Sequence, residues 1–126
     1  MRSFGFAAFL LIILFGLNVY CYNYVKTSTE ELSTSIDRLI NLTDNKDYKN
    51  AAVNFNMLKR KTEDSKKIWF LIINHQEIDN VDVTLKQCEA QLKKEADKEL
   101  TASLNSLKYY INNIYEREKV NITNIF

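Results

Sequence analysis

The residues best suited to chemistry lie in one short stretch, where His75 is followed by Glu77 and Asp79. Imidazole and carboxylate groups are common metal ligands and general acids or bases, so this cluster is the first candidate for a reactive site. His75 is the one histidine in the chain, so no histidine pair can hold a metal ion. A lone histidine at a helix junction more often caps or orients backbone groups. A metalloprotein centred on His75 is therefore the weakest functional hypothesis.

The two cysteines do not form a catalytic pattern. Cys88 lies between Leu85 and Leu92 on an apolar stripe, as is typical of a small buried hydrophobe. Cys21 lies at the end of a long apolar run, where a disulfide to a second copy of the chain remains an alternative. The sequence also contains no glycine-rich phosphate loop and no serine nucleophile motif. We expect no enzyme activity and no cofactor.

Charge argues against a nucleic-acid partner. Arg2 is the only charged side chain before residue 26, so residues 26–126 contain 16 basic and 16 acidic residues. Their formal net charge is zero. Phosphate binding requires clustered positive charge, whereas the densest cluster here, residues 59–67, contains both signs. Because Glu63 and Lys67 stand four residues apart, this cluster is better interpreted as a solvated helix face.

The composition indicates an all-α protein. The chain has no proline, and its two glycines, Gly5 and Gly16, both lie in the N-terminal apolar run. Neither strong chain breaker therefore interrupts residues 26–126. We expect an N-terminal transmembrane helix followed by an antiparallel bundle of four helices arranged as two helical hairpins.

Residues 4–22 form an uncharged apolar run of the sequence FGFAAFLLIILFGLNVYCY. As a helix this run is roughly 28 Å long, close to the ~30 Å hydrocarbon core of a bilayer. A cleaved signal is the main alternative, but its apolar region is usually ~7–15 residues and ends in small residues. A lipid-modified Cys21 is disfavoured because Tyr20, not a small residue, precedes it. We expect an uncleaved anchor over residues 1–25.

The charges flanking this run set the expected orientation. Arg2 lies at one end, and Lys26 is followed by Glu30 and Glu31 at the other. The small positive bias favours a cytoplasmic N-terminus and an extracytoplasmic domain over residues 26–126. The expected location is the cell membrane, as a single-pass protein.

Apolar spacing predicts the four bundle helices at about residues 27–43, 46–73, 77–94 and 98–115. The first either starts at a possible capping box, residues 27–30, or continues the membrane helix without a break. A shift of 49 residues places Ala51, Phe55 and Leu58 on Leu100, Leu104 and Leu107, which indicates either two related hairpins or only a shared helical periodicity. The alternating C-terminal residues 120–126 are expected to dock on the bundle.

Trp69 falls on the apolar stripe of the second helix, and we expect its ring to be buried where the second, third and fourth helices meet. Nearby Ile68 and residues 70–73 make this end apolar nearly all round, so the segment is expected to be surrounded by protein. Thr62 and Ser65 make the middle of the same stripe polar. They raise the alternative of a ligand-binding pocket inside the bundle.

Several stretches resemble a family of short, single-span proteins of Gram-positive endospore-forming bacteria that is known as a domain of unknown function. They are the N-terminal span, Lys67-Ile68-Trp69, the run LIINHQEID over residues 71–79, and the terminal Asn124-Ile125-Phe126. The resemblance implies a bacterial cell-envelope protein, and it implies no activity. It makes the elbow, residues 69–79, the best candidate region.

The sequence thus favours a membrane-tethered helical interaction or scaffold protein of the cell envelope, with the membrane and another protein as partners. A small extracytoplasmic ligand-sensing bundle is the alternative, and a secreted helical protein after signal cleavage is less favoured. The candidate interaction residues are Trp69, Asn74, His75, Glu77, Asp79 and Phe126.

Overall fold

The structure is a computed structural model that describes residues 1–125, with side-chain surroundings described as far as Lys119. Within these residues the chain forms four helices and no strand. The helices are α1 (Arg2–Asp44), α2 (Tyr48–Ile72), α3 (His75–Lys93) and α4 (Asp97–Ile125). The prediction of an all-α helical bundle is confirmed.

The apolar run and the first bundle helix form one continuous helix, α1, of 43 residues. The possible capping box at residues 27–30 does not start a helix. Its hydroxyls instead bond back to the preceding turn, Ser28 to the carbonyl of Val25 and Thr29 to that of Lys26. Since these bonds are compatible with an uninterrupted helix, the second of the two sequence interpretations is correct.

The four helices form an up-and-down bundle in which the second half of α1 packs against α2 and α4, and α3 packs against the same two helices. Most of the buried apolar side chains lie at the three- and four-residue spacing that predicted the helices. The largest fully buried side chains include Leu32, Ile36 and Leu39 of α1, Leu58 and Trp69 of α2, Ile78 of α3, and Leu100, Leu104, Leu107, Ile111 and Ile114 of α4. The core therefore begins at Val25, just after the apolar run.

At the distal end, away from the apolar run, two tight joints reverse the chain without glycine. Lys46 and Glu95 adopt left-handed backbone conformations, with φ of 57° and 53°. After α1, the N–H groups of Lys46 and Asp47 bond back to the carbonyls of Thr43 and Leu42. The joint after α3 repeats this pattern, which is the Schellman motif. Two otherwise unpaired carbonyls are thereby satisfied at each helix end.

The two joints stand 49 residues apart, as do the matching core positions of α2 and α4. Ala51 and Leu100, Phe55 and Leu104, and Leu58 and Leu107 are all buried. The Tyr48 hydroxyl also bonds to the Asp97 carboxylate, which raises the pKa of Tyr48 to about 12. This bond joins the first residues of the two helices across the distal end. The 49-residue correspondence therefore extends from the sequence to the joints, the first residues of α2 and α4, and three buried positions of each helix.

Two sequence expectations are wrong at the other end, the base of the bundle. Helix α4 does not end near residue 115 but continues to Ile125, because no breaker residue interrupts it. The end of α2 is not surrounded by protein, since Phe70 is 47% exposed and Leu71 is 72% exposed. The side chains of residues 120–126 lie outside the described ones, so their expected docking on the bundle stays a prediction.

Trp69 links α2 to α1 at the base. Its ring is fully buried, as predicted, and its indole N–H donates a hydrogen bond to the Ser28 hydroxyl at 3.1 Å. The sequence pattern assigned Trp69 to the meeting point of α2, α3 and α4 and missed the bond to α1. Because the indole N–H has a partner, the largest side chain of the core is buried without an unpaired polar group.

We expect Trp69→Ala to destabilise the full-length protein by ~3–5 kcal/mol, because it removes a buried ring and leaves a cavity. Leu71→Ala, two residues further on and largely exposed, is the matched control and should cost less than about 1 kcal/mol. Denaturant unfolding in detergent, followed by circular dichroism, measures both. Equal losses of stability for the two variants would contradict the packing described here.

Candidate functional site

The elbow, residues 69–79, contains the joint between α2 and α3, which is only two residues long, Ile73 and Asn74. Asn74 is the N-cap of α3, and its side-chain oxygen accepts a hydrogen bond from the backbone N–H of Gln76 at 3.0 Å. The sequence analysis had assigned such a backbone role to His75, which is wrong. An asparagine carbonyl is a strong N-cap acceptor, so Asn74 takes this role and His75 begins the helix.

His75 is exposed, and its ring lies 5.7 Å from the ring of Phe70. The Lys66 ammonium lies 5.8 Å from the centre of the same Phe70 ring. Burial alone would lower the pKa of Lys66, but its bonds to Asp82 and Glu63 raise it overall, so the ammonium stays charged. Phe70 is thus flanked by a cation and an imidazole.

Glu77 forms an ion pair between the elbow and α4. Its side chain is largely buried, and one carboxylate oxygen is in close contact with the guanidinium of Arg117. Glu77 therefore positions the Arg117 head group at the base of the bundle.

Two adjoining pockets lie on either side of this ion pair. Both are lined by Asn74, Glu77, Asn113 and Arg117. We call them together the basal pockets. The first, of about 260 Å³, is completed by amide and tyrosine side chains: Gln76, Asn80, Tyr109 and Tyr110. The second, of about 510 Å³, is completed by apolar and acidic side chains: Ile72, Ile73, Glu116 and Glu118.

Glu118 makes the second basal pocket sensitive to pH. Its partial burial, followed by the nearby Glu77 carboxylate, raises the pKa of Glu118. A raised pKa means that the folded protein holds this proton more tightly than the unfolded chain, so protonation favours folding. The Glu118 contribution to stability therefore increases as the pH falls through its folded-state pKa.

Asp79 and Phe126 are the remaining candidate residues. Asp79 is exposed and lines neither basal pocket, and Phe126 lies outside the described residues. Among residues 1–125, no group of three His, Cys, Asp or Glu side chains could hold a metal ion. Burial raises the pKa of the Cys88 thiol to about 12, which suppresses the nucleophilic thiolate.

The polar middle of α2 is part of the core and does not line either basal pocket. Thr62 is buried, and its hydroxyl donates to the carbonyl of Leu58 at 2.8 Å. Ser65, one turn further on, is buried as well. The pockets along this part of α2 are lined by its charged face, including Lys59 and Glu63, and not by Thr62 or Ser65.

Sequence reasoning missed the α4 half of this site. Tyr109, Asn113, Arg117 and Glu118 lie on α4, which was expected to end near residue 115. The signal for a longer helix was present, because residues 116–119 carry alternating charges and no breaker. What brings Arg117 to Glu77 is the tertiary pairing of α3 with α4, and no local pattern specifies it.

Comparison with known proteins places the chain in one family. A model of a domain of unknown function, DUF4363, matches residues 19–125. The match covers the bundle and the last part of the apolar run. No curated protein and no solved structure matches the chain. Because the matched residues are most of the sequence, the protein belongs to the DUF4363 family, a domain of unknown function.

Proposed function

We propose that the protein is a membrane-tethered helical interaction protein of the bacterial cell envelope, which acts by binding another envelope or membrane protein at its basal pockets. The first half of α1 is the anchor, with a cytoplasmic N-terminus, and the bundle is extracytoplasmic. Helix α1 belongs to both the anchor and the bundle.

The anchor is proposed because the two halves of α1 differ in burial. From Leu32 to Leu39 one stripe of the helix is fully buried, as in any bundle helix. The most apolar 18-residue window of α1 has none of its residues buried. Leu11, for example, is 66% exposed. An apolar surface on all sides of a helix is costly in water, and a bilayer is the solvent that suits it.

Tyrosines mark the boundary between the two halves. Tyr20, Tyr22 and Tyr24 lie at the end of the apolar run, where amphipathic rings fit the headgroup layer. The Tyr22 hydroxyl is 3.3 Å from that of Tyr115, so α4 reaches the same level. The tyrosines of α1 and α4 at one level support a base that meets the membrane surface without an intervening stalk.

Binding, not catalysis, is supported by the chemistry of the basal pockets. Their amides, tyrosines and one ion pair are polar groups that recognise a partner by hydrogen bonds and charge. Tyrosine and arginine are also enriched at protein interfaces. A second candidate is the sensing of a small ligand, favoured by the first basal pocket and its four amide side chains, Asn74, Gln76, Asn80 and Asn113. The two candidates share a site and differ in what occupies it.

We expect the full-length protein to remain in the membrane fraction after alkaline carbonate washing, because its apolar helix is held by the hydrocarbon core. A C-terminal reporter that is active only outside the cytoplasm should be active, since the positive charge of Arg2 favours retention of the N-terminus. A reporter active only in the cytoplasm is the control. Its activity would overturn the topology, and a soluble form beginning near Asn23 would show a cleaved signal.

We expect a tagged full-length protein to capture a reproducible protein partner from membranes, and Arg117→Ala to lose it. Arg117 is 62% exposed and lies between the two basal pockets, so its removal changes the binding surface without opening the core. Lys59→Ala is the matched control, because it breaks another inter-helix ion pair, 3.2 Å long, with Glu89.

Retention of the partner by Arg117→Ala would rule out the basal pockets as its binding surface. Loss of the partner by both variants would indicate a general disturbance of the bundle. Capture of no protein by the wild type would favour the small-ligand candidate.

A further inference from the structure

Phe70 and Leu71 form an exposed apolar pair at the elbow, and neither the core nor the basal pockets account for it. Every other large apolar residue of α2 after Leu58 is buried or partly buried. Lys66 and His75 flank the Phe70 ring and leave Leu71 uncovered. Two adjacent exposed apolar side chains at the last turn of a helix form a surface that a lipid or a protein could bury.

The bond between Trp69 and Ser28 fixes the height of this pair relative to the membrane anchor. Ser28 lies six residues above Tyr22 along α1, which is roughly 9 Å. Because α2 runs antiparallel to α1, Leu71 lies about 3 Å closer to the anchor than Trp69 does. Leu71 is therefore roughly 6 Å above the end of the apolar run. The headgroup layer of a bilayer is about 5–8 Å thick on each side.

We infer that Phe70 and Leu71 insert into the headgroup layer of the membrane that holds α1, as a second point of contact. This inference rests on the proposed anchor. Lipid is the occupant because the pair lies at the level where the apolar half of the same protein meets the bilayer surface. Two side chains are also far too few for a protein interface, which buries about 800 Å² per partner.

The charges around the elbow indicate how this contact works. Lys66 is paired with Glu63 and Asp82, and the exposed Lys67 lies 3.7 Å from Asp64. With these cations neutralised, the elbow has little excess positive charge to attract anionic lipid. Insertion is therefore driven by apolar contact, and phosphatidylcholine membranes suffice.

A second contact has a structural consequence for the bundle. A single helical tether leaves the bundle free to tilt and rotate on the membrane. A second contact fixes the orientation of the bundle relative to the membrane. The basal pockets lie beside the elbow and share Asn74 with it. Insertion of the elbow would hold these pockets next to the membrane surface, where a membrane-embedded partner can reach them.

The test uses the full-length protein in phosphatidylcholine nanodiscs, with an environment-sensitive fluorophore on single introduced cysteines. Cys21→Ser removes the accessible native thiol, and the buried Cys88 stays unlabelled. Labels at L71C, at L11C in the anchor and at V83C on α3 compare three exposed apolar positions. Quenching by nitroxide-labelled lipids reports lipid contact, and quenching by aqueous iodide reports exposure to water.

We expect the L71C label to be quenched by headgroup-level nitroxide lipids and to be several-fold less accessible to iodide than the V83C label. The L11C label should be quenched by nitroxides deep in the acyl chains. If L11C is quenched by lipid while L71C and V83C are equally accessible to iodide, the elbow contact is wrong and the anchor stands.

Exposure of L11C to iodide would overturn the anchor and the elbow contact together. Shielding of L71C from both quenchers would also overturn the inference, because a protein surface would then cover the elbow. Introducing Phe70→Ser as a second change should raise the iodide accessibility of L71C, and no rise would argue against insertion of the pair.

Discussion

The unbroken path of α1 is the constraint on which the rest of the structure depends. One helix of 43 residues, roughly 65 Å long, passes from an apolar segment that contacts no core into a stripe that helps to form the core. No glycine or proline lies between Gly16 and the end of the helix. The position and direction of the bundle relative to the apolar segment therefore follow from helical geometry. Helices α2, α3 and α4 pack against this one continuous helix.

The base of the bundle is held together by contacts that each join two helices. Trp69 joins α2 to α1 through Ser28, the Tyr22 and Tyr115 hydroxyls join α1 to α4, and Arg117 joins α4 to Glu77 of α3. The first of these is buried and is therefore the strongest contributor to stability. The other two are partly exposed, where hydrogen bonds and ion pairs contribute little. The base is thus anchored at α1 and α2 and is more open between α3 and α4, where the basal pockets lie.

Much of the fold follows from the sequence because the helices are amphipathic and their joints are short. Most buried apolar residues of α2, α3 and α4 lie at the predicted spacing, and the helix ends agree within about two residues except at the end of α4 and at residue 27, through which α1 continues. The apolar spacing along one helix does not show which of its faces the other helices cover. Phe70 and Leu71 have the residue types of a core, yet the three other helices leave that side of α2 uncovered.

The candidate site was predictable only in part, for the same reason. Asn74 and Glu77 lie in the stretch that the sequence singled out, and the structure brings both to the basal pockets. Their partners Asn113 and Arg117 are about 40 residues away, and only the pairing of α3 with α4 brings them together. His75 attracted attention by its residue type. Its exposed position beside Phe70 gives it a local packing role and no set of ligands.

The central claim is that a single rigid helix connects the bilayer to the bundle core, and a spin-label distance tests it most directly. Labels at L11C and N41C, both at exposed positions of α1, are separated by 30 residues of helix. In nanodiscs containing the full-length Cys21→Ser protein, pulsed electron paramagnetic resonance should give a narrow distribution near about 45 Å. A broad distribution, or a mean well below that value, would show a hinge between anchor and bundle and would contradict the account.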